Sequence, residues 1–196
     1  MDQRPGRIHR ATADRGQRRI EAMKKVIVPT ATEVFFRDED IIVSKTDLKG
    51  RITYANQTFC NIAGYSEAEL LGQPHSIIRH PDMPRAVFKL LWDTIMEGRE
   101  IFAYVKNMAK SGNYYWVFAH VTPSYDKSRN IVGFHSNRRV PDAKIVKNTI
   151  APLYAAVLKE ERKHQNGQKE LAAGFEFLVN FLKSNNTTYD ALIFSL

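Results

Sequence analysis

A single cysteine, Cys60, in 196 residues leaves no internal disulfide to staple the chain, and no Cys/His cluster has the spacing of a zinc site. A stapled secreted scaffold and a zinc module are both excluded. No apolar run approaches the roughly 20 residues that cross a bilayer, and no charged-then-apolar leader is present, so the sequence reads as a cytoplasmic protein that would reach a membrane only through a partner. Catalytic signatures are missing too: there is no G-x-S-x-G, no H-E-x-x-H, no P-loop and no kinase phosphoacceptor or ATP-binding segment, and the chain is read as a non-enzyme. Acids are in deficit, 21 Asp and Glu against 29 Lys and Arg, for a net charge of +8.

Hydrophobic residues at 43% and aromatics at 11% are ordinary for a globular protein and argue against wholesale disorder. The excess charge is unevenly placed. Residues 1–22 carry Arg4, Arg7, Arg10, Arg15, Arg18 and Arg19 against Asp2, Asp14 and Glu21, with almost no large apolar side chain. That stretch is expected to be a disordered basic arm, and Met23 offers a second start behind it. A DNA-binding role for the arm is the rival reading and would show a steep salt dependence; no nucleic-acid partner is expected. Residues 23–40 are assigned to an N-terminal cap.

From Ile41 onward short strand-like runs appear. Ile41–Thr46 and Arg51–Ala55 flank the turn Asp47-Leu48-Lys49-Gly50, which predicts a hairpin. Asn56 is placed to cap a helix that stops at Gly64, and Ser66 with Glu69 three residues later forms a capping box for a second short helix ending at Gly72. Three prolines keep 75–84 irregular; Val87, Leu90, Leu91, Thr94 and Ile95 then recur at helical spacing up to Gly98. Beyond it, 101–109, 113–124 and 130–139 are rich in Tyr, Phe, Val and Trp and are joined by tight turns. The implied fold is α+β: a five-stranded antiparallel sheet with short helices on one face, spanning 41–139.

Residues 140–196 are helical in pattern. Pro152 requires either two helices over 141–163 or one kinked helix. Leu171, Phe175, Leu178, Val179 and Leu182 form an apolar stripe over 168–183, and the apolar end Tyr189–Leu196 needs a surface, either this chain's own domain or a dimer or receptor partner.

The run Ser44–Asn56, with Gly64-Tyr65-Ser66 and Leu71-Gly72-Gln73-Pro74-His75 behind it, resembles the opening of a PAS domain. Arg79-His80-Pro81-Asp82-Met83-Pro84, Val105-Lys106-Asn107 and Gly112–Val117 extend the resemblance to the flavin-binding PAS domains of aerotaxis receptors of the Aer type. The resemblance implies a noncovalent FAD between sheet and helices, whose redox state reports on respiratory electron flow. Without a visible output domain, the chain resembles the short PAS subunit of bipartite energy-taxis receptors (CetB-like), which implies a membrane-bound methyl-accepting chemoreceptor as partner, a homodimer being an alternative association.

Carried over residue by residue, the resemblance implies Arg79, His80, Asp82 and Asn107 as FAD-binding residues. Arg and His⁺ suit a pyrophosphate, and an amide offers the donor and acceptor that the uracil-like edge of a flavin requires. The simpler alternatives stay open: His80 as a turn residue, Asp82 as the cap of the following helix, Asn56 as a helix cap rather than a cofactor contact, and Trp116 as a core residue rather than one facing the ring. One departure stands out. Where the Aer pattern has Pro-Trp ahead of the VKN strand, this chain has Glu100-Ile101-Phe102, and strand alternation turns Phe102 to the opposite face from Asn107. Haem is the minor alternative cofactor, with His75, His80, His120 and His135 as candidate ligands, and a cofactor-free adaptor is the other. Cys60 lies in an earlier helix than a photoadduct cysteine would, so light-driven adduct chemistry is rejected. Sensing would then consist of hydrogen bonds around Asn107 re-forming as the cofactor is reduced, moving the sheet surface that carries the tail.

Overall fold

The computed structural model describes residues 27–196; the basic arm and Met23 lie outside the described residues. Two hairpin strands come first, β1 (Ile42–Thr46) and β2 (Ile52–Ala55), then the helices α1 (Gln57–Ala63) and α2 (Glu67–Leu70), a 3₁₀ turn His75–Ile78, and α3 (Arg85–Met96). Three strands follow, β3 (Ile101–Met108), β4 (Tyr114–Tyr125) and β5 (Ile131–Arg139). Every pairing is antiparallel and the order across the sheet is β2-β1-β5-β4-β3, so the long crossover through α1–α3 brings the chain from one edge strand to the other.

Local chemistry accounts for these boundaries. Asn56 Oδ1 accepts from Phe59 N and also from Val43 N, both at 3.0 Å, so one side chain caps α1 and ties it to β1. Gly64 closes that helix at φ 71°, and Ser66 and Glu69 form the capping box of α2. Along β3 and β4 alternate residues, Ala103, Val105, Asn107, Tyr115, Val117, Ala119 and Val121, are buried on the face covered by α1–α3.

The opposite face of β3 and β4 is covered by the C-terminal chain. A helical turn Ala143–Ile145 and a π-helical stretch Val146–Ile150 run into α4 (Ala151–Glu161), followed by α5 (Gly167–Ser184) and α6 (Tyr189–Ser195). Pro152 therefore produces neither a break nor two helices. It has no N–H to give, and the wider π turn before it, in which Ala151 N–H reaches the Val146 carbonyl, absorbs the irregularity. Tyr154 of α4 donates to the Tyr104 carbonyl at 2.8 Å, and Phe194 of α6 packs edge-on against Phe102 at 4.9 Å between ring centres. The apolar end thus docks on its own domain.

The clasp is completed at α3. Pro84 precedes that helix and offers no side-chain cap, and Asp82, expected as the cap, does not take the role: its carboxylate pairs with Lys106 at 3.1 Å and Arg162 at 3.4 Å. The acceptor is Glu161, at the end of α4. Its buried carboxylate takes Arg85 N at 3.1 Å and Ala86 N at 2.8 Å. Gly174 of α5 makes this fit possible, since a Cβ there would stand 2.5 Å from Glu161 Cγ. Glu161→Ala should lower the unfolding free energy by about 2 kcal/mol, because two buried N–H groups lose their acceptor. The measurement is the urea midpoint at unchanged m value; an unmoved midpoint would mean that water satisfies the start of α3.

Candidate functional site

Between the inner face of the sheet and α3 lies a cavity of about 460 Å³. Its walls are mainly apolar: Phe88, Leu91, Trp92 and Ile95 from α3, Val105 from β3, Ala119 and Val121 from β4, and Phe134 from β5. Trp92 meets Phe134 edge-on at 5.4 Å, and its ring covers Gly50, where φ is 73° and a Cβ would come within 2.9 Å of the indole. A side chain at the hairpin turn would therefore push into this wall.

The polar groups are unevenly satisfied. Ser44 Oγ accepts from Arg138 Nη2 at 2.6 Å and lies 3.2 Å from His75 Nε2. Burial, with the charge of Arg138 added to it, pushes the His75 imidazole down to about 3 and keeps it neutral. Asn107 and Arg138, both almost fully buried, line the cavity, and Asn107 Nδ2 and Arg138 Nε and Nη1 have no hydrogen-bond partner among the described residues. Such buried donors call for an acceptor. At the rim Arg79 lies 4.4 Å over the Phe88 ring, held below its usual range by burial and the neighbouring charge of Arg85, with Lys49, Arg85 and Lys89 alongside.

Of the residues singled out from the sequence, the structure brings Arg79 and Asn107 together in this wall, and their backbones form an antiparallel bridge. The other four stand outside it. His80 is buried with its Nδ1 accepting from Asp82 N at 3.0 Å, its imidazole pushed down by burial and by Lys106. Asp82 belongs to the Lys106 and Arg162 cluster at the β3 edge. Trp116 faces away from the cavity toward Tyr154, 6.2 Å between ring centres, and Asn56 is fully used as the cap and tie of α1.

Phe102 faces outward as alternation required, stacked on His120 at 4.1 Å. Of the other histidines named as haem ligands, His120 lies outside the cavity and pairs with Glu100 at 2.7 Å, and His135 is among the lining residues and lies 3.1 Å from Asn137 Oδ1. Cys60, buried in α1, is not among the cavity-lining residues. Trp92 and Arg138 are among the wall residues that the sequence did not point to as ligand contacts, and His75 and His135 were named only as haem candidates. Trp92 could have been found four residues after Phe88 on the apolar stripe, and Arg138 from its parity with Phe134 along β5.

The wall predicts a pH dependence. An unfolded chain protonates His75 near 6.5, whereas the folded chain holds it neutral to about 3, so protons bind the unfolded state preferentially between those values. Stability present above pH 6.5 should fall by about 2 kcal/mol as the pH is lowered to near 5, and His75→Gln should flatten that slope. His80, also pushed down, adds to the slope in both proteins. Urea midpoints at the two pH values provide the check; an equal slope in the variant would remove His75 as its source.

Residues 52–138 match the family described as PAS fold. The aerotaxis receptor of Escherichia coli (strain K12) is 42% identical over 121 residues, which is 61% of this chain and 23% of the receptor. A nitrogen fixation regulatory protein of Klebsiella pneumoniae is 34% identical over 83 residues, 42% of this chain and 17% of that protein. The chain thus spans less than a quarter of the length of these relatives. Among solved structures, the light state of the blue-light photoreceptor Aureochrome1 LOV superposes with a TM-score of 0.51 at 24% identity, covering 57% of this chain and 89% of that one. Sheet order, helix placement and sequence match agree: the region from β2 to the end of β5 is a PAS domain, in a chain similar over part of its length to an aerotaxis receptor.

Proposed function

We propose that this PAS domain is a redox sensor that binds FAD in the cavity between sheet and α3, and that its C-terminal helices pass the state of the site to a separate signalling protein of the chemoreceptor kind. The observation that carries the reading is the pair of buried side chains with unsatisfied donors, Asn107 and Arg138, in the wall of a cavity of about 460 Å³ whose surface is mainly apolar. The likeness to an aerotaxis receptor supports it.

The residues present suit the group. Asn107 has an amide free to pair with the uracil-like edge, Trp92 and Phe134 offer ring faces, and Arg79 with Lys49 and Lys89 supplies positive charge for a pyrophosphate at the rim. When bound, a flavin supplies a reversible electron-accepting couple whose protonation follows its oxidation state. The protein's part is to orient it, exclude water and couple it to the tail. Two of the walls do this: β3 carries Asn107 on its inner side and the Tyr104 carbonyl that Tyr154 grips, and α3 begins on the Glu161 carboxylate.

On this reading residues 41–139 are the sensor, 140–196 the relay and 23–40 the cap, whose described part, from residue 27, runs along the β3–β4 turn, where Thr30 N donates to the Gly112 carbonyl at 2.8 Å. Among the described residues no helix is long and apolar enough to cross a membrane, so the reading assigns contact with a membrane to the partner.

The freshly purified protein should show a two-banded yellow spectrum that bleaches with dithionite, and the released cofactor should migrate as FAD. Asn107→Ala should weaken FAD at least tenfold, about 1.4 kcal/mol, in a fluorescence titration. A folded, colourless protein that takes up no flavin on reconstitution would leave a cofactor-free adaptor, and a Soret band would mean haem. Either result sinks the proposal.

A further inference from the structure

Among the described residues Arg138 is buried without a counter-ion. It is 2% exposed; its Nη2 is used by Ser44, and its guanidinium lies 4.5 Å over the Phe59 ring, but Nε and Nη1 have no partner. Among the described residues the carboxylates with ion pairs go elsewhere, Asp82 to Lys106, Glu170 to Arg85 and Glu69 to Lys110, and Glu161 is spent on α3. The titratable groups close to Arg138 are His75 and Tyr115. His75 is held neutral, and burial raises the Tyr115 phenol out of the ionising range, so neither supplies negative charge.

Desolvating an unpaired guanidinium costs several kcal/mol, and an arginine remains charged at neutral pH even so. Burial brings Arg138 only down to about 10. Ser44, which it holds, asks for no more than a neutral donor. The open donors are on a side chain that lines the cavity, which leaves the ligand as the source of the missing charge.

We propose that Arg138 is the counter-charge for a ligand that is anionic where it meets β5. Resting on the flavin reading above, this assigns Arg138 the task of holding the reduced ring in its singly deprotonated form: two electrons from an external reductant and one proton enter the ring, and the second proton stays in solvent. Asn107, on β3, is a neutral amide and serves orientation, so charge selection and orientation fall to different strands.

The midpoint potential of bound FAD, with dithionite as reductant, measures this directly. Arg138→Gln should reduce the preference for reduced over oxidised FAD at least tenfold, which lowers the midpoint by about 30 mV for a two-electron couple. Oxidised FAD should be affected far less. Arg138→Lys keeps the charge and should keep most of the potential. An unmoved midpoint in Arg138→Gln, with both redox states bound more weakly by the same factor, would mean that Arg138 only braces Ser44 and would overturn the proposal.

A second measurement does not depend on flavin. The ligand-free protein should bind 2-naphthoate at least tenfold more tightly than the uncharged 2-naphthamide, and Arg138→Gln should bind both alike. If the protein takes no FAD but keeps this preference, the sensor reading fails and the anion site stands. A wild-type protein without the preference overturns the anion site, whatever it does with FAD.

Discussion

The carboxylate of Glu161 sits where two distant parts of the chain become one structure. Helix α3 starts behind a proline that has no side chain to offer, and its first amides are answered by a residue 75 or 76 positions further on. A helix start buried without acceptors would be unstable, so the wall of the cavity depends on the tail being folded against it. Gly174 belongs to the same constraint, because α5 can approach only where no Cβ intervenes. The ion pair of Arg85 with Glu170, at 3.0 Å, adds a weaker surface tie to the same corner.

Most of the sheet and the short helices were legible because the signals that define them are local. Asp47 through Gly50, Gly64, the Ser66 and Glu69 pair, and Gly98 each act within a few residues, and strand alternation placed Phe102 and Asn107 on opposite faces. What depends on partners far along the chain was not legible. Asp82 looks like a cap for α3, yet it stands two residues before the cap position, which Pro84 occupies, and Lys106 and Arg162 hold it while Glu161 takes the amides. Of the two readings of Pro152 the two separate helices fall away, and the π turn that precedes the proline in one continuous helix has no sequence marker of its own.

The site divided in the same way. Arg79 and Asn107 were reached through motifs, and they share the cavity wall. Arg138 looks in sequence like half of a solvated basic pair at a strand end; its parity with Phe134 points it inward, and the register of β5 against β1 sets it beside Ser44 while Arg139 turns out. Trp92 was hidden for another reason. An aromatic on a helical stripe is core by default, and its exposure to a void rather than to packed neighbours is a property of the tertiary structure alone.

Strand β3 has a cavity on one side and a docked tail on the other, and its residues belong to the two sides in strict alternation over most of its length. Val105 and Asn107 face inward; Phe102 packs against Phe194 outside, with the Tyr104 carbonyl under Tyr154. Substitutions at the outward positions would therefore change how the tail is held and leave the cavity wall intact, and substitutions at the inward positions would do the reverse.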